Sequence, residues 1–90
     1  MSKWDKLLER VLGGAADDNI PFDDLCHLLR RLDFDERISG SHHTYKRAGM
    51  GDNLNLQPRK DGKAKKYQVG QVRDELKIFL AANKKEEANQ

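Results

Sequence analysis

The chain has 90 residues, enough for one domain with one modest core and too few for a two-domain enzyme. Hydrophobic residues make up 37% of it and charged residues 36%, which is polar for a folded protein but richer in apolar side chains than a disordered one. The formal charge of +2 hides a division: residues 1–37 carry 6 basic and 9 acidic groups, residues 38–73 carry 8 and 2, and residues 74–90 carry 3 and 4. A central basic block fits an anionic partner, nucleic acid above all, although a solvated charged face accounts for the charge alone equally well. No long apolar run follows the start, so neither a signal peptide nor a membrane span is expected, and the expected location is cytoplasmic. Cys26 is the single cysteine; it excludes an internal disulfide and a multi-cysteine metal site, and reads as a packed core thiol.

Trp4, Leu7, Leu8, Val11 and Leu12 recur on one helix face, and Gly13-Gly14 ends that run. Asp17-Asp18-Asn19 reads as a turn and Ile20-Pro21 as an extended entry to a second helix, with Asp23 or Asp24 as its cap. Leu25, Cys26, Leu28, Leu29 and Leu32 supply that helix's buried side. From Phe34 the period changes. Residues 36–39 read as a short strand, His42 to Arg47 as a second and Asp52 to Gln57 as a third, with Gly40-Ser41 and Gly49-Met50-Gly51-Asp52 as the turns between them. In the third strand Leu54 and Leu56 alternate with Asn53, Asn55 and Gln57, the pattern of a strand with one wet face. After the loop from Arg59 to Lys66, Val69, Val72, Leu76, Phe79 and Leu80 describe a last amphipathic helix with Gly70 as its weak point. The tail from residue 83 is expected to fray.

The predicted architecture is therefore α+β: a three-stranded antiparallel sheet with helices covering one face, because three strands cannot stand alone in water. The opposite face stays open. His42 and His43 are adjacent on the second strand and so point to opposite faces. With bulky Tyr45 turned toward the helices, His43 shares its inward face, and His42 shares the open face with Thr44 and Lys46. This favours His42 for chemistry provided that no bulge interrupts residues 42–45, since a one-residue slip exchanges the two. His27 is expected at the surface or boundary of the second helix. A zinc site is not expected, because adjacent strand histidines diverge and no further ligands are spaced to join them. A serine nucleophile at Ser41 lacks a strand-turn-helix elbow and an orienting carboxylate. Arg59, Lys60, Lys63, Lys65 and Lys66 crowd the start of the last helix, where free backbone N–H groups favour phosphate; a mobile solvated loop is the plainer reading of the same residues.

Gly40-Ser41-His42-His43-Thr44-Tyr45, preceded by Leu32-Asp33-Phe34 and followed by Leu54-Asn55-Leu56-Gln57-Pro58 and Lys65-Lys66-Tyr67-Gln68-Val69, resembles the HicA family of toxins over about residues 20–80. The resemblance implies a fold like the double-stranded RNA-binding domain, helix-strand-strand-strand-helix, over residues 20–82, with residues 1–19 as an extra helix and turn within a single domain. It also implies an mRNA-cleaving endoribonuclease of a type II toxin-antitoxin system, independent of the ribosome and held inactive by a HicB-type antitoxin; the chemistry of RNA adds the expectation that no metal or other cofactor is needed. The family's functional histidine follows its Gly-Ser pair, which maps onto His42, with His43 as the alternative. Asp33 stands where the family usually has a glycine before the aromatic. RNA brings its own nucleophile in the 2′-hydroxyl, so an imidazole near neutrality can serve as base or acid. Lys46, Arg47, Arg59, Lys60, Lys63, Lys65 and Lys66 are the expected RNA-binding residues. The alternative functions are a non-catalytic module that grips RNA by shape and a protein-interaction domain.

Overall fold

A computed structural model describes the backbone of residues 2–88 and the side chains of residues 2–82. Helix α1 spans Lys3–Gly13. Ser2 opens it with a capping box: its hydroxyl accepts the Asp5 N–H, and the Asp5 carboxylate accepts the Ser2 N–H in return. Gly14 closes it in the left-handed conformation (φ 78°) and donates its N–H to the Arg10 carbonyl. A short 3₁₀ turn, Asp17–Asn19, follows where a turn was predicted.

Helix α2, Phe22–Arg31, begins earlier than the aspartates suggested. Pro21 is its N-cap residue and no side chain caps it, so Asp23 and Asp24 lie inside the first turn, where they complement the helix dipole instead. Its end is sharp. Asp33 takes φ 66°, the left-handed region that glycine adopts more cheaply, and its N–H returns to the Arg30 carbonyl.

Strands β1 (Asp35–Ser39), β2 (His42–Lys46) and β3 (Leu54–Leu56) form one antiparallel meander in the order β1-β2-β3. Each strand keeps its predicted place with altered ends: β1 begins one residue earlier, β2 stops at Lys46, and β3 is only three residues long. The β1–β2 ladder runs unbroken from Asp35↔Lys46 to Ser39↔His42. The β2–β3 ladder pairs His43 with Leu56 and Tyr45 with Leu54. No bulge interrupts residues 42–46, so the alternation rule holds along the whole of β2.

Helix α3, Lys66–Ala88, passes through Gly70 without a break and stays helical beyond residue 83, where fraying was expected; Asn89 and Gln90 lie outside the described residues. Leu7, Val11, Ile20, Leu25, Leu29, Tyr45, Leu56, Val69, Val72 and Leu76 meet in one core. Residues of all three helices and of the sheet thus share one core, with α1 packed against α2 and α3. Among the described residues no helix is long and apolar enough to cross a membrane.

The N-terminal segment, α1 and the 3₁₀ turn after it, is joined to α3 by charge and hydrogen bonding as well as by packing. The Arg73 guanidinium donates to both oxygens of buried Asp17, at 2.9 and 3.0 Å, and to the Val11 carbonyl at 3.2 Å. The Asp17 partnership, the largest influence, raises the Arg73 pKa against the opposing effect of burial.

Candidate active site on the open sheet face

His42 lies on the exposed face of β2 and His43 on the face against the helices. The His43 ring meets Phe22 edge-on with centroids 4.9 Å apart, and its Nδ1 lies 4.0 Å from the Cys26 sulfur. Tyr45, fully buried on the same face, donates its hydroxyl hydrogen bond to Glu36. Burial, reinforced by bonding to Cys26 and Glu36, raises the Tyr45 pKa. His43 therefore belongs to the packing of the core face. His27 sits at the exposed surface as expected, stacked flat on Trp4 with ring centroids 4.3 Å apart.

Continuing the β2–β3 register by one residue places Gln57 opposite His42. The Gln57 carboxamide nitrogen lies 2.8 Å from His42 Nδ1 and 2.9 Å from Nε2. An atom nearly equidistant from both ring nitrogens lies off the lone-pair direction of either, so the carboxamide packs against the Nδ1–Cε1–Nε2 edge of the imidazole. The orientation of the carboxamide is set from behind: Lys65 Nζ donates to Gln57 Oε1 at 2.9 Å, which directs the NH₂ group at the imidazole. The Gln57 backbone N–H donates to Gln68 Oε1 at 3.0 Å, and Gln68 is only 6% exposed. A buried glutamine on the first turn of α3 thus holds the residue that contacts the exposed histidine.

Neither Gln57 nor Gln68 was among the expected site residues. A signal for Gln57 existed in the alternation of Asn53, Asn55 and Gln57, but it needed the pairing of His43 with Leu56 to become a position. Gln68 carries no signal in the sequence pattern.

The seven expected basic residues do not converge. Lys65 reaches the site through Gln57. Lys46 shares the open face but stands four residues along β2, about 13 Å away at strand rise, too far to hold the same phosphate as a group at His42. Arg47 is turned to the other side. Its guanidinium carbon lies 3.5 Å from the Phe79 ring centroid and 5.3 Å from that of Phe34, with Nη1 buried. It is part of the packing. Arg59 is occupied by Asp61 and Asp18, and Lys63 donates to the Asn19 side chain. Lys60 and Lys66 are exposed. Arg37, which the sequence reading did not single out, pairs with Thr44 and so adds a cation to the open face.

The basic loop is consequently an ordered strap. Ala64 N–H donates to the Ile20 carbonyl at 2.8 Å, Phe22 N–H to the Gly62 carbonyl at 3.0 Å, and Arg59 N–H to the Lys63 carbonyl at 2.8 Å. These bonds fix Lys65 at the start of α3, from where it meets Gln57. Within the strap Arg59 and the Lys63 N–H hold the Asp61 carboxyl below the usual carboxylate range. Native Asp61 stays ionised where the unfolded chain has already taken up its proton. Its stabilising contribution is therefore present above about pH 4 and lost as the pH falls through the lowered native value. An NMR titration of the side-chain carboxyl carbons is expected to place the Asp61 midpoint below that of an aspartate in an unstructured peptide, and Arg59→Ala should remove most of the difference.

Burial, the dominant influence, raises the Cys26 pKa; its hydrogen bond with Tyr45 opposes this and Glu36 adds to it. The thiolate is the reactive form. At pH 8 the native thiol is expected to react with an aromatic disulfide reagent more than about 100-fold slower than the denatured chain, as befits an inert buried thiol. Native reaction at the denatured rate would contradict this burial.

Among the described residues no group of three or more His, Cys, Asp or Glu side chains gathers as a metal-ligand set. In comparisons with known proteins, the chain matches no family model, no curated protein and no solved structure.

Proposed function

We propose that the protein is a HicA-type toxin: a metal-independent endoribonuclease that cleaves mRNA, built on a fold of the double-stranded RNA-binding type and restrained by a HicB-type antitoxin. The observation that carries this reading is the placement of His42 on the open sheet face against a carboxamide oriented by Lys65. The residues of the resemblance, Gly40 to Tyr45 above all, support the same reading.

In this mechanism a ring nitrogen of His42 serves as general base. The Gln57 carboxamide lies against one edge of the ring, and a substrate 2′-hydroxyl donates to a ring nitrogen. The hydroxyl proton passes to the imidazole while the 2′-oxygen bonds to phosphorus. The bond to the 5′-oxygen breaks, and that oxygen takes a proton from water as it leaves. The products are a 2′,3′-cyclic phosphate and a 5′-hydroxyl end. Lys65 supplies positive charge beside the phosphate, with Lys66 adjacent in the chain. A partner that covers the open face occludes His42, the simplest way for an antitoxin to silence it.

The test is incubation of the purified protein with end-labelled single-stranded RNA, with and without a chelator. Products ending in 2′,3′-cyclic phosphate that form equally with the chelator support the proposal. Salt-sensitive binding with no cleavage would overturn it in favour of a module that only grips RNA.

A further inference from the structure

Beside the His42 site a cavity of about 420 Å³ lies between β3 and the first turns of α3. Its polar lining combines four carboxamides, Asn53, Asn55, Gln68 and Gln71, with the carboxylates of Asp52, Asp74 and Glu75, and Tyr67 stands among them; the Asn55 oxygen accepts from Thr44, which leaves its NH₂ group. Carboxamides present a donor and an acceptor side by side, the arrangement that matches the edge of a nucleobase. Tyr67 is 63% exposed, yet its hydroxyl is held by Gln68 Nε2 at 3.2 Å. An anchored ring with open area suits the stacking of an unpaired base. Gln68 spends its oxygen on the Gln57 backbone and one N–H on Tyr67, which leaves its second N–H without a role in this network.

We infer that this cavity is a subsite for an unpaired nucleobase next to the scissile phosphate, selective for a base with N–H donors on its pairing edge, guanine foremost. The inference rests on the proposed RNA-cleaving function and adds the part of the substrate that is read. Charge divides the two subsites. Asp52, Asp74 and Glu75 border the cavity; they repel a phosphate but accept the adjacent N1–H and 2-amino groups of guanine. Lys65 and His42 both contact Gln57 and take no part in the cavity's lining; the phosphate belongs with them. Gln68 belongs to both places, since it lines the cavity and fixes Gln57. A base seated on Tyr67 thereby registers the neighbouring sugar and phosphate against the imidazole.

The subsite is tested without any need for cleavage by titrating labelled protein with the 5′-monophosphates of guanosine, inosine and uridine, and with ribose 5-phosphate. The first three carry the same phosphate, so differences among them report the base. Guanosine monophosphate is expected to shift the side-chain amides of Asn53 and Gln71 and the Tyr67 ring. Inosine monophosphate, which lacks the 2-amino group, should bind more weakly, and ribose 5-phosphate should leave these signals in place. Tyr67→Ala and Gln71→Ala should each weaken guanosine monophosphate binding roughly tenfold, within the range for loss of base stacking or of a good base contact. Equal shifts with ribose 5-phosphate, or none with any nucleotide, would overturn the subsite. Nucleotide binding at these residues in a protein that cuts no RNA would sink the nuclease proposal and leave the subsite standing. Cleavage by a protein whose cavity ignores every base would do the reverse.

Discussion

Substitution of His42 by alanine is expected to lower the rate of RNA cleavage by roughly 10² to 10⁴, the usual contribution of a positioned general acid or base. Its side chain is exposed on the open face and supports no part of the core, so the variant should unfold at nearly the wild-type denaturant concentration. His43→Ala has the opposite profile. It removes a ring packed against Phe22 and Cys26 and should lower stability, while cleavage by the folded fraction persists. Gln57→Leu separates orientation from proton transfer: it keeps the size of the side chain and removes both its bond to Lys65 and its polar contact with His42. A fall in kcat with little change in KM, together with altered imidazole tautomer signals in nitrogen NMR, is the expected result. Full activity in His42→Ala would discard this assignment of the base.

The largest effect on stability outside the apolar core is expected at Arg73. Replacing it with alanine leaves the Asp17 carboxylate, which is only 9% exposed, without its two-pronged partner, and frees the Val11 carbonyl at the end of α1. Removing one member of a partly buried charge pair is costly mainly because the other stays desolvated. A loss of about 2 to 3 kcal/mol, read as a lower urea midpoint at unchanged slope, is the expected outcome. Asp17→Ala should cost less, since the Arg73 head can still turn to water. The double variant should cost less than the two single losses added together, because the pair is one interaction. Strict additivity would mean that the two side chains act independently.

Helix α1, the core face of α2 and the outward direction of His42 were legible because each depends on local periodicity. Tyr45 is bulky enough to choose its side, and strand alternation does the rest. What sequence spacing concealed was the use made of the polar groups. Arg47 and Lys46 are chain neighbours with the same charge, yet Lys46 ends β2 facing solvent while Arg47, the first residue past the strand, packs over Phe79. Arg59 and Lys63 look like ligands for phosphate until tertiary structure brings Asp18 and Asn19, about 40 residues distant, within bonding range. The start of α2 was misplaced for a related reason. Aspartates are good caps, but the backbone of Phe22 is already bound to Gly62 across the strap, which fixes where the helix can begin.

The pairing of α1 with α3 bears on where the chain can be cut. The resemblance, confined to about residues 20–80, invites excision of residues 1–19 as an appendage. Yet Leu7 and Val11 are core residues, and Asp17 is the counterion of an arginine on the last helix. A fragment beginning at Ile20 would carry an apolar face on α3 with nothing over it and a cation without its anion. Seen as a unit of folding, the N-terminal helix is the lid of the core, and the smallest piece worth expressing starts at its Ser2 cap.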